Sequence, residues 1–381
     1  MKVVVLSDVI FPKDRNSVYS QEKLQNIFGI GIYEEILSAD INIVNLECVL
    51  TEREDYIEKW GSILVASPEN IALLKQIPNI VVNLSNNHIF DAGLEGLKDT
   101  VRILDDNGIR YLGCTINQKS NRTITFEDDG KMLGFFSCSE HEFNSDDAGN
   151  GAILFEPMEA ALEISELAKN CDRVIVLYHG GVEFYPYPYP SQQNNLRRMI
   201  DAGADLVVCQ HNHCVSCEEQ YNNGTIVYGQ GTLIWGNRPE IQDNILDIDM
   251  MNSGMAITYD TVGGDIKRTY YSISGDRIID SSGDIEEKYV SRSRKVSDKS
   301  FIDSEWIDYC KKQDAHMGIF GDTFVDSSPI KTIKKAAKSV VGLKDCRSER
   351  LRVYDYLTCE SHLEIIRTIS KIEKDVKECG Y

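Results

Sequence analysis

The chain has 381 residues, 42% of them hydrophobic and 26% charged, with a formal net charge of −20; this is a globular composition that argues against nucleic-acid backbone binding as the main function. No apolar run approaches the roughly 18 residues of a membrane span, and the start "MKVVVLSDVIF" is too short and too broken by Asp8 for a secretory signal. Eleven cysteines, an odd number without a framework, read as free thiols in a reducing compartment, so a cytoplasmic protein is expected.

Residues 2–6 read as a first strand and 20–38 as a helix with apolar spacing through Leu24, Ile27, Ile32 and Ile36. A second strand follows at 41–46, a short helix at 69–76 and a third strand at 80–84. "GLEGLKDTVRILDDNG" (93–108) is an amphipathic helix stopped by Gly108. Strands are expected at 110–112, 122–127, 131–137, 173–178 and 205–209, with helices at 158–169 and 191–202 between the later ones. Two short strands bracket "YGQG" (228–231), and 254–273 reads as a β-hairpin around Gly263 and Gly264. The alternation predicts α/β layers. The expected organisation is a domain over 1–280 with its motifs in 1–240, a polar linker over 281–300, and a mainly helical C-terminal extension over 301–381.

The chemistry gathers where strands end. The first leads to Asp8, the second to Asn45 and Glu47, and the third to Asn86, Asn87, His88 and Asp91. The strand at 173–178 leads to His179, and the one at 205–209 to His211 and His213. Each residue alone has an ordinary reading: a loop histidine, an asparagine turn, a capping aspartate. Five strand exits carrying this set point instead to one rim of an α/β sheet, where such folds bind ligands. Carboxylate, amide and imidazole donors without cysteine suit Mn, Fe or Zn rather than a structural zinc site. A carboxylate can bridge two such cations, and the pair can activate water and clamp both oxygens of an in-line displacement. Cys214 and Cys217 lack a second pair and read as bystander thiols. "EFYPYPYPS" (183–191) reads either as a stiff extended loop or as an aromatic wall over the site.

In this order and spacing, Asp8, "NLE" (45–47), "NNHIFDAG" (86–93), "HGGVE" (179–183), "GADLVVCQHNH" (203–213) and "YGQGTLIW" (228–235) resemble the CapA capsule-synthesis family, associated with poly-γ-glutamate production. The resemblance covers roughly residues 1–240. It implies a calcineurin-like metallophosphoesterase fold, a four-layer α-β-β-α sandwich of two sheets packed face to face. It also implies two divalent ions: Asp8, Glu47 and His213 around one, with Glu47 bridging to a second held by Asn87, His179 and His211. His88 becomes the general acid or charge stabiliser, oriented by Asp91. Asn45, Asn86, Glu183 and Tyr185 fall behind the ligands or against the substrate. Asp8 lacks the following histidine of the classical metallophosphoesterase Asp-x-His pair, a lack that the CapA pattern shares, and two departures from that pattern stand out: Gln210 replaces a usual glycine, and "YGQG" replaces a "YSLG" form.

The function this implies is a metal-dependent, phosphoesterase-type hydrolase in capsule or surface-polymer biosynthesis or modification, with phosphorus or carbonyl attack left open. The alternative is a non-catalytic polymer-handling or assembly component on the same fold. The substrate or partner is the polymer or its precursor. From 331 to 352 there are eight Lys/Arg against two acids, so 330–352 reads either as a solvated helix or as a contact with anionic membrane or acidic polymer.

Overall fold

A computed structural model describes residues 1–12, 16–235, 252–281, 283–317 and 346–378. The layers follow from strand periodicity, because successive side chains point to opposite faces. In the first strand, Val3 and Val5 face one way and Val4 and Leu6 the other, all fully buried. Val4, Leu6, Val44 and Val82 pack under Ile32 and Ile36 of helix Ile30–Ser38 and Leu97 and Leu104 of helix Gly93–Asp106. Val3, Val5, Ile41, Ile43 and Val81 meet Phe135, Ile175, Leu177, Leu206 and Val208 from a second sheet. That sheet buries Val174, Val176 and Val207 against Ala160 and Ile164 of helix Pro157–Asn170 and Leu196 and Ile200 of helix Pro190–Asp201. The result is the expected four-layer α-β-β-α sandwich, and burial on both faces explains why the parallel strands read as continuous apolar runs.

The first sheet has the spatial order Arg277–Asp280, Ile266–Ser274, Ser253–Asp260, Lys2–Ile10, Ile41–Leu46, Ile80–Asn83, Arg110–Leu112, with Thr232–Trp235 also pairing to Lys2–Ile10. The second runs Glu218–Tyr221, Gly224–Val227, Leu206–Gln210, Arg173–His179, Lys131–Ser139, Thr123–Asp128. Parallel register lines up Asp8, Asn45 and Asn83 in one sheet and Ser139, His179 and Gln210 in the other. Both rows lie at carboxyl ends of strands.

Several elements differ from the sequence reading. The first strand continues to Ile10, so Asp8 sits inside it, at a register irregularity against both neighbours; such irregularities re-aim side chains. The single helix expected over 20–38 is three short ones, Asn16–Gln21, Leu24–Ile27 and Ile30–Ser38. Phe28 leaves the helical path to bridge Ile278, and Gly29 lies so close to Asp280 that a Cβ would stand 2.7 Å from its Oδ1. Within 281–300, read as linker, Asp284–Ser293 forms a helix with three acids in its first turn, favourable to the helix dipole. Its Tyr289 is buried and donates to Glu218 at 2.8 Å.

The C-terminal helices Lys299–Met317, Cys346–Thr358 and Glu360–Glu378 dock on the sandwich. Trp306, Cys310, Tyr356, Ile365 and Ile369 pack with Val182, Tyr185 and Tyr189. The tyrosine-proline segment is therefore an aromatic wall that seats these helices. Residues 330–345 of the basic segment lie outside the described residues. No described helix is long and apolar enough to cross a membrane. The nine cysteines with described side chains are all free, eight of them buried.

Candidate metal centre

Two groups of buried side chains have ligand atoms within 4.8 Å of one another: Asp8, Glu47 and His213, and Glu47, His179 and His211. Glu47 belongs to both. Its Oε1 stands 3.4 Å from His179 Nε2 and 3.8 Å from His213 Nε2. Asp8 lies beside them, its Oδ1 4.0 Å from His179 Nδ1 and its Oδ2 3.7 Å from His213 Nδ1. Asn87 Oδ1 is 2.9 Å from His179 Nε2. All six residues expected as ligands thus meet in one place.

The electrostatics fit divalent cations. Glu47 is fully buried, and neither carboxylate oxygen has a hydrogen-bond partner; leaving a buried charge unpaired is costly. Burial, then neighbouring Asp8, pushes its pKa well above the usual carboxylate range. Burial also raises Asp8 to about 7, despite hydrogen bonds from Asn45 and the His211 amide. His179 and His211 are pushed well below the ordinary imidazole value by burial, which keeps them neutral, the form that ligates metal. Buried His211 Nδ1 also has no hydrogen-bond partner. His211 and His213 adopt φ of +95° and +51°, uncommon for non-glycine residues and typical of strain kept at functional sites. His213 is fixed by Thr232 at 3.0 Å and by the Trp235 ring at 4.3 Å.

Around the ligands lies an amide lattice. Asn45 donates to Asp8 at 2.7 Å and accepts from Asn83 and Asn86 at 3.2 Å each. Asn86 also accepts the His88 amide at 3.1 Å. His88 Nδ1 sits 2.7 Å from Asp91 Oδ2, and Asp91 accepts from Lys59 at 2.7 Å and from the Leu64 amide at 2.7 Å. Burial, reinforced by Lys59, lowers the His88 pKa; for Asp91, Lys59 and His88 outweigh burial and hold the carboxyl low. Glu183 and Tyr185 line a cavity that Asn87, His88 and His211 also line.

Sequence reasoning missed Lys59, Glu140, Glu142 and the C-terminal contribution. Glu142 accepts from Asn87 Nδ2 at 2.9 Å and lies 3.9 Å from His211 Nε2. Glu140 accepts from Tyr178 and Tyr189 at 2.7 Å, from the Gly181 amide at 3.0 Å and from the Ser361 amide at 3.3 Å. It therefore ties the turn after His179 to the last helix. Both glutamates follow the strand Lys131–Ser139, so reading that exit like the other five would have found them. The departures from the family pattern meet each other: Gln210 Nε2 donates to Gln230 Oε1 at 3.2 Å, and Gln230 Nε2 donates to Val5 and Met255 carbonyls. They serve strand bridging.

A family model described as "Bacterial capsule synthesis protein PGA_cap" matches residues 2–237. The chain is 28% identical over 196 residues to the capsule biosynthesis protein CapA of Bacillus anthracis, covering 49% of this chain and 48% of that protein. It is 27% identical over 237 residues to the PGA biosynthesis protein CapA of Bacillus subtilis, covering 60% and 62%. The match thus spans about half to three fifths of these relatives. Among solved structures, a phosphatase from Mycoplasma pneumoniae is similar at 14% identity and a TM-score of 0.45, over 74% of this chain and 95% of that one.

Proposed function

This chain belongs to the bacterial capsule synthesis protein family PGA_cap, and on that premise we propose that it is a metal-dependent phosphoester hydrolase acting in the making or modification of a capsule or surface polymer. The observation that carries this reading is Glu47, a buried carboxylate without hydrogen-bond partners, shared by two imidazole-carboxylate groups. Asp8, Glu47 and His213 would hold one divalent ion, and Glu47, Asn87, His179 and His211 a second; Mn, Fe or Zn suit these donors. When bound, such ions supply Lewis-acid polarisation of a phosphoryl oxygen and a water-derived nucleophile at neutral pH.

The chain's own residues do the rest. His88 has Nδ1 engaged by Asp91, which leaves Nε2 as the ring nitrogen for a leaving oxygen. In the balanced reaction, water oxygen bonds to phosphorus, the ester P–O bond breaks, and the proton that the water gives up passes to the leaving oxygen, with the unprotonated His88 Nε2 placed to accept it and hand it on. Asp91 and Lys59 fix the ring. The free thiols accord with a cytoplasmic setting.

The test is hydrolysis of phosphomonoesters and phosphodiesters by the full chain reconstituted with Mn, Fe or Zn. Turnover that requires the metal and falls in His88→Ala with metal content retained supports the reading. Bound metal with no turnover of any phosphoester would overturn it and leave a polymer-handling component.

A further inference from the structure

The cavity in front of the candidate centre has a volume of about 850 Å³, far more than a phosphoryl group needs and within the range of small-molecule sites. Part of its lining is a wall built by chain outside the family match: Asp308 and Tyr309 from one C-terminal helix, Asp355 and Tyr356 from the next, and His362 from the last. We propose that this wall is a leaving-group subsite for a neutral, polyhydroxylated group, so that the preferred substrate is a glycosyl phosphate. The proposal rests on the phosphoester reading above.

Hydrogen bonding gives the first reason. Asp355 is 2% exposed and its Oδ1 has no hydrogen-bond partner; the buried hydroxyl of Tyr185, also in the lining, has none either. Ionised carboxylates only accept hydrogen bonds. Asp355, Asp308, Glu305 and Glu183 therefore call for a ligand rich in donors.

Charge and shape narrow the class. His362 Nδ1 lies 2.9 Å from Asp355 Oδ2, and Lys59 and Lys312 share the lining. Three cations offset only part of the five acids in the lining, Glu142 included, and hydroxyl donors meet the remaining acceptors without setting a further positive charge beside Lys59, Lys312 and His362. Trp60, Phe184, Tyr309 and Tyr356 add flat aromatic surface, suited to the apolar C–H faces of a sugar ring. Tyr309 is held by Tyr185 at 4.5 Å between ring centres and by Trp306 at 5.6 Å, so this surface is preorganised.

The experiment compares kcat/KM for a hexose 1-phosphate, propyl phosphate and adenosine 5′-monophosphate on the Mn-reconstituted full chain, with Asp355→Asn and Asp308→Ala. Asp308 is exposed, so its variant does not endanger folding. The expected result is at least about a tenfold preference for the hexose over the propyl ester, shrinking about tenfold in Asp355→Asn and a few-fold in Asp308→Ala. A hexose-to-propyl ratio near one, a ratio unmoved in both variants, or preference for the nucleotide overturns the proposal while leaving the hydrolase reading intact. If no ester is turned over with metal bound, the hydrolase reading fails, and calorimetric titration of the hexose 1-phosphate decides the subsite. Binding weakened by both variants keeps the wall as a sugar-phosphate site and overturns its leaving-group role; no binding overturns the site altogether.

Discussion

Glu47 Oε1 stands 3.4 Å from His179 Nε2, yet this contact is not a hydrogen bond, and neither Glu47 oxygen has one. A side chain so placed is destabilising by itself and favourable only toward a cation. Glu47→Gln is therefore expected to have opposite signs in two conditions. With chelator present it stabilises the chain by about 1–3 kcal/mol, because an unpaired buried carboxylate is removed. With metal present the gain disappears and metal content falls. Thermal unfolding with and without chelator reads both; destabilisation in both would mean that Glu47 serves packing instead.

His88 is buried against Asp91 and Lys59 and lies beside the ligand set without belonging to either metal group. His88→Ala should lower kcat by about 10²–10⁴, with metal content within error of the parent. Asp91→Asn should lower it less, because the ring loses its orienting charge and not its nitrogen. Single-site kinetics alongside elemental analysis separates this from loss of metal.

Gly180 follows His179, and a Cβ there would stand 2.5 Å from Glu140 Cγ. Glu140 cannot step aside, since it is held by Tyr178, Tyr189 and two backbone amides. Gly180→Ala should cost about 1–3 kcal/mol and loosen the last helix. Hydrogen exchange should show faster exchange in 360–370 than in the parent; unchanged protection there would contradict the clamp.

Away from the site, Glu35 joins helix Ile30–Ser38 to the strands Lys2–Ile10, Ser253–Asp260 and Ile266–Ser274. Burial would raise its carboxyl, but Lys267, Lys2 and Thr258 outweigh burial and hold the pKa at about 2. A depressed folded pKa adds stability above the unfolded value, and that stability is lost as pH falls from about 4.5 toward 2. Glu35→Gln should cost about 1 kcal/mol at pH 7 after solvent screening, with the gap from the parent closing across that window. A gap independent of pH would assign the loss to packing.

Where a candidate site residue follows a long apolar strand, the sequence alone shows it. His179, His211, His213 and the Asn86–Asp91 cluster could be named because period and polarity change together at those exits, and parallel register then aligns the rows. Asp8 was found although its strand runs past it, since a register irregularity is invisible in an apolar run. The helix over 20–38 was read as one piece because apolar spacing survives the break at Phe28, which is set by contact with a strand some 250 residues away in sequence. Lys59 lies in an irregular stretch without periodicity, and its partner Asp91 is identifiable only in three dimensions. The wall formed by Asp355 and His362 was hidden for the same reason. Helical spacing shows that those helices have an apolar face, but not that the face seats on Tyr185 and Tyr189.

Metal content of the full chain, purified without chelator and measured by elemental analysis, tests the account most directly. It predicts about two equivalents of Mn, Fe or Zn, falling in His211→Ala and in His213→Ala and lost when both are changed. No bound metal, even after reconstitution with each of the three ions, would contradict it.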